Sequence, residues 1–434
     1  MKKKKFLTFC LFGGLSVLTV FAAETDSVAK SLSLSLSDAQ TFALEHNRSL
    51  KNATLDVQKS EAARWQTIAT MLPQVNAKLD YQNMCGYEMA FGPTPIALNP
   101  TGMLGVTAGL ALSGEQVVGA MLGAIAERMS DISLKKSEQV ISDQVKAIYY
   151  STLVLNETVQ LLNENLANMQ KLLNSTQAAV DAGVAEQVDA DKLAVQVATM
   201  ETQINSIERS VEMSYNSLRL QLGATVDTEL VLTQTMDDLL NIDTAFALLS
   251  DEFILDNNYD YQLLKENIAL SKKQVLMKEW AFGPQVTAFY QYSYKTYFGK
   301  SEGFNMTPPN MVGVSLNVPI FSSGMRLKGV KEAKLAYQQQ QNTLADTEDA
   351  LKVQHRQLTY NLSSSYENFE IQKENIEVIK RVFANISEKY DQGMASSLEV
   401  TNSSTELISA QSSYVQALLE FVNAQIALEQ LLNK

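Results

Sequence analysis

The stretch Met311–Gly324, MVGVSLNVPIFSSG, decides the architecture. Val312, Val314, Leu316, Val318 and Ile320 recur at every second residue, with Gly313, Ser315 and Asn317 between them. A period of two marks a strand with one apolar and one polar face. Such a strand suits a membrane barrel with a water-filled lumen. Directly behind it, Ser322, Ser323 and Gly324 open residues 325–391, which contain no proline and carry a sustained helical repeat. That charged helix cannot lie in lipid, so the pair predicts a membrane strand joined to an aqueous rod.

Working outward, the rod carries heptads. Tyr337, Leu344, Leu351 and Leu358 are seven apart, and the seam continues through Leu362, Phe369, Ile376, Ile379, Phe383, Ile386 and Tyr390. This spacing predicts left-handed supercoiling between neighbouring helices. About 65 helical residues would span on the order of 100 Å.

The unit occurs twice. Leu72-Pro73-Gln74-Val75 returns as Gly283-Pro284-Gln285-Val286, His46-Asn47 as Asn257-Asn258, and Ala182-Gly183 as Gln392-Gly393. The register Leu407, Tyr414, Phe421, Leu428 falls on Val197, Ile204, Val211, Leu218. The order helix, strand, strand, helix, helix is therefore expected in residues 37–223 and again in 259–434, with 224–258 as a less regular linker or girdle. In the first half the spacing predicts one helix over 37–72 with Ser37 as N-cap, strands from Val75 to Tyr81 and from Val106 to Leu112, and a loop over 86–102. Helices follow from Gln116 to Asp181 and from Gln187 to Leu222. In the second half it predicts helix 261–282, strand 286–297, a loop through Pro308-Pro309, strand 311–321, and helices 325–391 and 398–432. The fold class is mainly α with membrane β, four strands per chain.

Residues 1–22 read as a secretory signal: Lys2 to Lys5, an apolar run containing Cys10, then Val20-Phe21-Ala22. Residues 23–36 form an N-terminal extension. Loss of the signal leaves 31 basic against 48 acidic residues, a net charge near −17, and Cys85 as the sole cysteine. An internal disulfide is then excluded. The acidity argues against a nucleic-acid partner, and it reads either as ordinary solubility or as a cation preference inside a pore.

Residues 104–126 are apolar over a length that could cross a membrane as a helix. Glu115 at their centre and five glycines, Gly119 and Gly123 among them, favour a strand running into a helix instead. Tyr290, Tyr292 and Tyr294 share one face of a predicted strand, as a membrane aromatic belt or as a soluble sheet core. Four strands cannot enclose a lumen, so a membrane role requires several chains. His46 and His355 are 309 residues apart, and no catalytic or phosphate-binding motif is present. No enzyme activity, metal or cofactor is expected.

The duplicated unit, Val318-Pro319-Ile320-Phe321 with Gly324, Leu222-Gly223 closing the first half, and two glycine-containing hairpin tips resemble the TolC family of outer-membrane efflux channels over nearly the whole mature chain. The resemblance implies a homotrimer whose twelve strands form one barrel in outer-membrane lipid of a Gram-negative bacterium, continued by a periplasmic α-helical barrel. It implies a passive export duct in tripartite efflux or type I secretion, with a periplasmic adaptor and an inner-membrane pump of RND or ABC type. It places the strand-to-helix junction at Pro319, Phe321 and Gly324. It places a periplasmic gate at Gly183, Asp189, Tyr390, Gly393, Glu399 and Asn402, with three copies of Glu399 forming an acidic ring that would bind cations. Three positions depart from the pattern: Ala395 stands where some members carry arginine, Asn402 is uncharged, and Lys192 occupies a position often polar and neutral. From the residues alone, Tyr390 reads first as a heptad core position, and Asp189 and Glu399 read as well as helix N-terminal carboxylates. The alternatives in other classes are a pore-less periplasmic coiled-coil adaptor or scaffold and a secreted enzyme on an elongated scaffold.

Overall fold

Groups of strands and groups of helices alternate along the chain in the computed structural model, which describes residues 31–434 apart from 92, 93, 98, 241 and 299–307. The expected signal peptide, most of the N-terminal extension and most of the loop before Pro308 lie outside the described residues. The order is β1 (Ser31–Leu34), α1 (Leu36–His46), α2 (Arg48–Ala69), β2 (Gln74–Gln82), β3 (Glu88–Phe91), β4 (Thr94–Ala97), β5 (Thr101–Ser113), α3 (Gly114–Asp181), α4 (Gln187–Leu222), β6 (Glu229–Leu232), α5 (Met236–Leu239), α6 (Ile242–Ser250), α7 (Tyr259–Trp280), β7 (Gln285–Tyr297), β8 (Asn310–Asn317), α8 (Met325–Asp391) and α9 (Ser397–Leu432).

Local sequence explains most boundaries. Ser113 caps α3 through a capping box with Gln116, which splits the apolar stretch 104–126 into a strand and a helix. Among the described residues no helix is long and apolar enough to cross a membrane. The sheet runs β2-β5-β7-β8, antiparallel throughout, and ends on two open edges. Its helices follow the same order, with α2 beside α3, α3 beside α7 and α7 beside α8. Further from the sheet, α3 pairs with α4 and α8 with α9. Helix α3 has 68 residues and α8 has 67, so each spans about 100 Å.

The predicted seam of α8 is buried at Leu351, Leu362, Phe369, Ile376 and Phe383, the last four spaced by seven. Two apolar clusters result. The larger surrounds the waist of the rods, where Tyr149 donates to the Leu34 carbonyl at 3.0 Å and Phe369 stacks on Phe421 at 5.6 Å. The smaller joins all four lower helices through Met169, Leu193, Val400 and Phe383.

Several expectations are corrected. The helix expected over 37–72 is two helices, capped by Ser35 rather than Ser37 and interrupted at Asn47. Ser35 accepts from the Asp38 amide, while Asp38 takes the Ser35 amide in return. The loop expected over 86–102 contains the β3–β4 hairpin. The last strand ends at Asn317, not Phe321, because Pro319 has no amide to continue a ladder. The girdle segment contributes β6, which pairs in parallel with β1.

Asn47 and Asn258 do more than break helices. Each caps the helix that follows it, and each side-chain amide donates across the join, Asn47 to the Gln221 carbonyl at 2.7 Å and Asn258 to the Leu431 carbonyl at 3.4 Å. The C-terminus of α4 thus abuts the N-terminus of α2, and that of α9 abuts α7, an arrangement of dipoles head to tail. Gly223 makes the first join possible. Its φ is +72°, and a Cβ there would stand 2.4 Å from the His46 carbonyl oxygen. Gly223→Ala should therefore lower the thermal midpoint well beyond Gly183→Ala, which has open space and loses only about 1 kcal/mol to backbone strain. Equal midpoints in paired melts would contradict this account.

Near the same waist, burial and the neighbouring Glu429 raise Asp143 to about 6, with Lys146 opposing them. A carboxyl whose folded value is raised favours the native state at low pH and loses that contribution as pH climbs through 6. Asp143→Asn is expected to leave stability at pH 4 unchanged and to raise it at pH 7 by on the order of 1 kcal/mol after solvent screening, read as a flatter profile of unfolding midpoint against pH.

Candidate functional site

Residues directly opposite in an antiparallel ladder share a face, so the register sorts the sheet into two surfaces. Val75, Ala108, Tyr290 and Val312 form one row across all four strands, and Leu79, Leu104 and Tyr294 form another on the same side. The reverse side carries Asn76, Thr107, Gln291 and Met311 in one row and Lys78, Gly105 and Ser293 in the next. One face is thus apolar from edge to edge, although the protomer buries little of it: Val312, Val314 and Leu316 are 77%, 74% and 64% exposed. Strands β5 and β7 have 13 residues each, enough for an apolar band about 25 Å tall at a barrel's tilt.

Tyr290, Tyr292 and Tyr294 lie on this apolar face and are part-exposed. They form a column of about 13 Å along β7, not a ring at one depth. The Tyr290 hydroxyl donates to Asn310 at 2.7 Å.

Below the sheet, the chain turns from β8 into α8 through residues 318–324. The Pro319 carbonyl accepts from Arg326 Nη1 at 2.9 Å, and the Arg326 guanidinium sits 5.5 Å from the Phe282 ring centre, tying β8's exit to α7's end. Gly324 adopts φ +82° as the N-cap of α8. Phe321 packs little in the protomer and is largely exposed.

At the opposite end of the rods, two turns close the α3–α4 and α8–α9 hairpins. Gly183 and Gly393 both take positive φ, 75° and 71°, and each following amide reaches back into the helix it ends, Val184 to Ala179 and Met394 to Lys389. Polar contacts then join one hairpin to the other. The Tyr390 and Thr176 hydroxyls share a hydrogen bond of 2.7 Å, and the Ser397 hydroxyl donates to Asp189 Oδ1. Lys192 Nζ lies 3.6 Å from the same carboxylate. Further up, buried Asn165 donates to Gln411 at 2.8 Å. Tyr390 also packs on the lower apolar cluster, so it is core and link at once.

Glu399 and Asn402 are exposed and do not join this network. The Glu399 carboxylate folds back on its own helix, where the Ser396 amide and hydroxyl donate to it at 2.7 and 2.9 Å and hold it below the ordinary carboxylate range. Thr176, Ser397 and the caps Asn47 and Asn258 are the residues that sequence reading missed. Asn47 and Asn258 had a signal, since they occupy equivalent places in the two repeats. Ser397 and Thr176 had none, because a contact between hairpins leaves no periodicity.

Among the described residues no group of three or more His, Cys, Asp or Glu could hold a metal ion. His46 stacks on Phe42 and His355 on Phe253, and burial pulls His355 below its usual value.

The profile of the outer membrane efflux protein family matches residues 41–224 and 253–434. The toluene efflux pump outer membrane protein TtgF of Pseudomonas putida is 22% identical over 405 residues, spanning 89% of this chain and 80% of its own length. The pyoverdine export outer membrane protein OpmQ of Pseudomonas aeruginosa is 22% identical over 404 residues, spanning 89% and 82%. Among solved structures, the outer membrane protein VceC of Vibrio cholerae superposes with a TM-score of 0.73 at 16% identity, covering 92% of this chain and 95% of that one. The open MtrE outer membrane channel of Neisseria gonorrhoeae gives 0.74 at 15% identity, covering 92% and 88%.

Each link between the hairpin tips contributes about 1 kcal/mol. Tyr390→Phe combined with Ser397→Ala is accordingly expected to lower the melting midpoint further than either single variant, by the equivalent of about 2 kcal/mol. An unchanged midpoint in the double variant would mean that these links add nothing to the fold.

Proposed function

The chain belongs to the outer membrane efflux protein family and is an outer-membrane efflux channel, and we propose that three copies build the duct of a tripartite assembly. One observation carries this reading: a four-stranded sheet with an apolar face from edge to edge and two unpaired edges. Lipid offers no partner for the amides and carbonyls of β2 and β8, so those edges must pair with other copies. Three protomers supply twelve strands, enough to surround a water-filled lumen, with the polar face inward. The rods continue the wall as an α-helical barrel on the periplasmic side.

The duct is passive. A periplasmic adaptor and an inner-membrane pump of RND or ABC type supply the energy, as the relatives' names as efflux-pump components suggest. The hairpin turns at Gly183 and Gly393 form the periplasmic gate, closed by Tyr390 with Thr176 and by Asp189 with Ser397. Three Glu399 carboxylates, each held ionised by its own helix N-terminus, form an acidic ring that favours cations.

The mature protein is expected to fractionate with outer membranes, to run as a trimer in mild detergent, and to conduct in planar bilayers with a preference for potassium over chloride. Glu399→Gln should move the reversal potential under a salt gradient toward zero. A soluble, monomeric mature chain would falsify the channel reading, whereas an unchanged reversal potential removes only the Glu399 ring.

A further inference from the structure

Where the rods meet the sheet, one side of the chain carries an excess of positive charge. Lys272, Lys273 and Lys278 on α7 and Lys328, Lys331 and Lys334 on α8 stand against only Glu279 and Glu332, in a chain of net charge −13. The corresponding turns of α2 and α3 are balanced, with Lys59, Arg64 and Arg128 against Glu61, Glu115 and Glu127. The excess is confined to α7 and α8.

Between these two helices runs a groove of about 640 Å³, lined by Leu276 and Tyr337 and by Lys272, Lys273, Lys334 and Glu279. Lys334 lies 3.3 Å from Glu279, and Lys273 reaches only the Met121 thioether at 3.8 Å. Lys272 has no hydrogen bond or ion pair among the described residues. Ala269, Leu276 and Trp280 share one face of α7 by their spacing of seven and four, while Asn267, Ser271 and Gln274 occupy the opposite face. Along the former face the groove runs toward Trp280, whose ring covers Gly114 at the start of α3.

The depth order is that of a bilayer interface. Exposed apolar strand residues come first, then Trp280, Phe282, Met325 and Leu327, all exposed. Eight residues separate Lys272 from Trp280 and nine separate Lys334 from Met325, about 12 to 14 Å of helix. Interfacial aromatic rings sit at the headgroup level of a membrane, and the Lys334 ammonium is held close to that level by Glu279, the neighbour of Trp280.

We infer that this groove binds the phosphate headgroup of an anionic glycerophospholipid from the leaflet on the helical side of the sheet. Lys272, Lys273 and Lys334 donate charge-assisted hydrogen bonds to phosphate oxygens, their stems extended toward the membrane. The site would fix the rods' depth against the membrane. The inference rests on the sheet being the membrane-spanning part.

The test is native mass spectrometry of the detergent-purified mature protein, titrated with dioleoyl phosphatidylglycerol or dioleoyl phosphatidylcholine. Retention of the anionic lipid is expected to exceed that of the zwitterionic one at least about tenfold. The variant K272Q/K273Q/K334Q should lose that preference, while K380Q/K389Q, altered at the far end of α8, should keep it. Equal retention of the two lipids by the unaltered protein overturns the proposal without any variant, as does a preference that survives the triple substitution or that glycerol 3-phosphate abolishes at matching concentration. Bilayer conductance of the same preparation separates the two claims, since a conducting pore without lipid preference leaves the channel intact and removes only the groove.

Discussion

The unsatisfied backbone at the two edges of a four-stranded sheet constrains everything else in this protein. In water an open edge is tolerable, but in lipid each orphaned amide or carbonyl costs several kcal/mol. Strands β2 and β8 present nine and eight residues of such edge, beside an apolar face that the protomer leaves largely bare. A protomer of this form is incomplete as a membrane body. The proposed trimer resolves both problems at once, pairing the edges and giving the apolar face to lipid.

The helical rods inherit their arrangement from the sheet. Helices α2, α3, α7 and α8 lie side by side in the order of β2, β5, β7 and β8, because each strand is continuous with one of them. A wall that is four elements wide in the membrane is therefore four elements wide below it. At the waist the wall is kept four wide by stacking α4 under α2 and α9 under α7, with Asn47 and Asn258 bonding across the joins. An asparagine suits this place because its amide satisfies two helix ends at once: the oxygen accepts from amides of the new helix while the nitrogen donates to a carbonyl of the old one.

Far from the membrane, apolar packing gives way to polar links. The lower cluster of Met169, Leu193, Phe383 and Val400 ends near Tyr390, and beyond it the hairpins touch through Tyr390 with Thr176 and Ser397 with Asp189. Contacts worth about 1 kcal/mol each can open without unfolding the rods, whereas a continued heptad core could not. The chemistry of the tips thus suits the proposed gate.

The amino-acid sequence by itself determined the strand alternation of Val312, Val314 and Leu316, the heptads of α8, the bounds of α4 and α8, and the order of elements in both halves. These signals are periodic and local, so pattern and propensity suffice to read them. Sequence reading missed the β1–β6 pairing despite the alternation of Leu32 and Leu34, because nothing local names a partner strand some 200 residues away. It also extended β8 past Asn317 and fused α1 to α2, where Pro319's missing amide and Asn47's cap overrode the apolar period. Only the tertiary structure decided which strands lie adjacent, that all apolar rows fall on one face, and that Glu399 bonds its own helix end while Asp189 reaches the other hairpin. Those outcomes depend on register and on side-chain reach between segments distant in the chain, and a one-dimensional pattern carries neither.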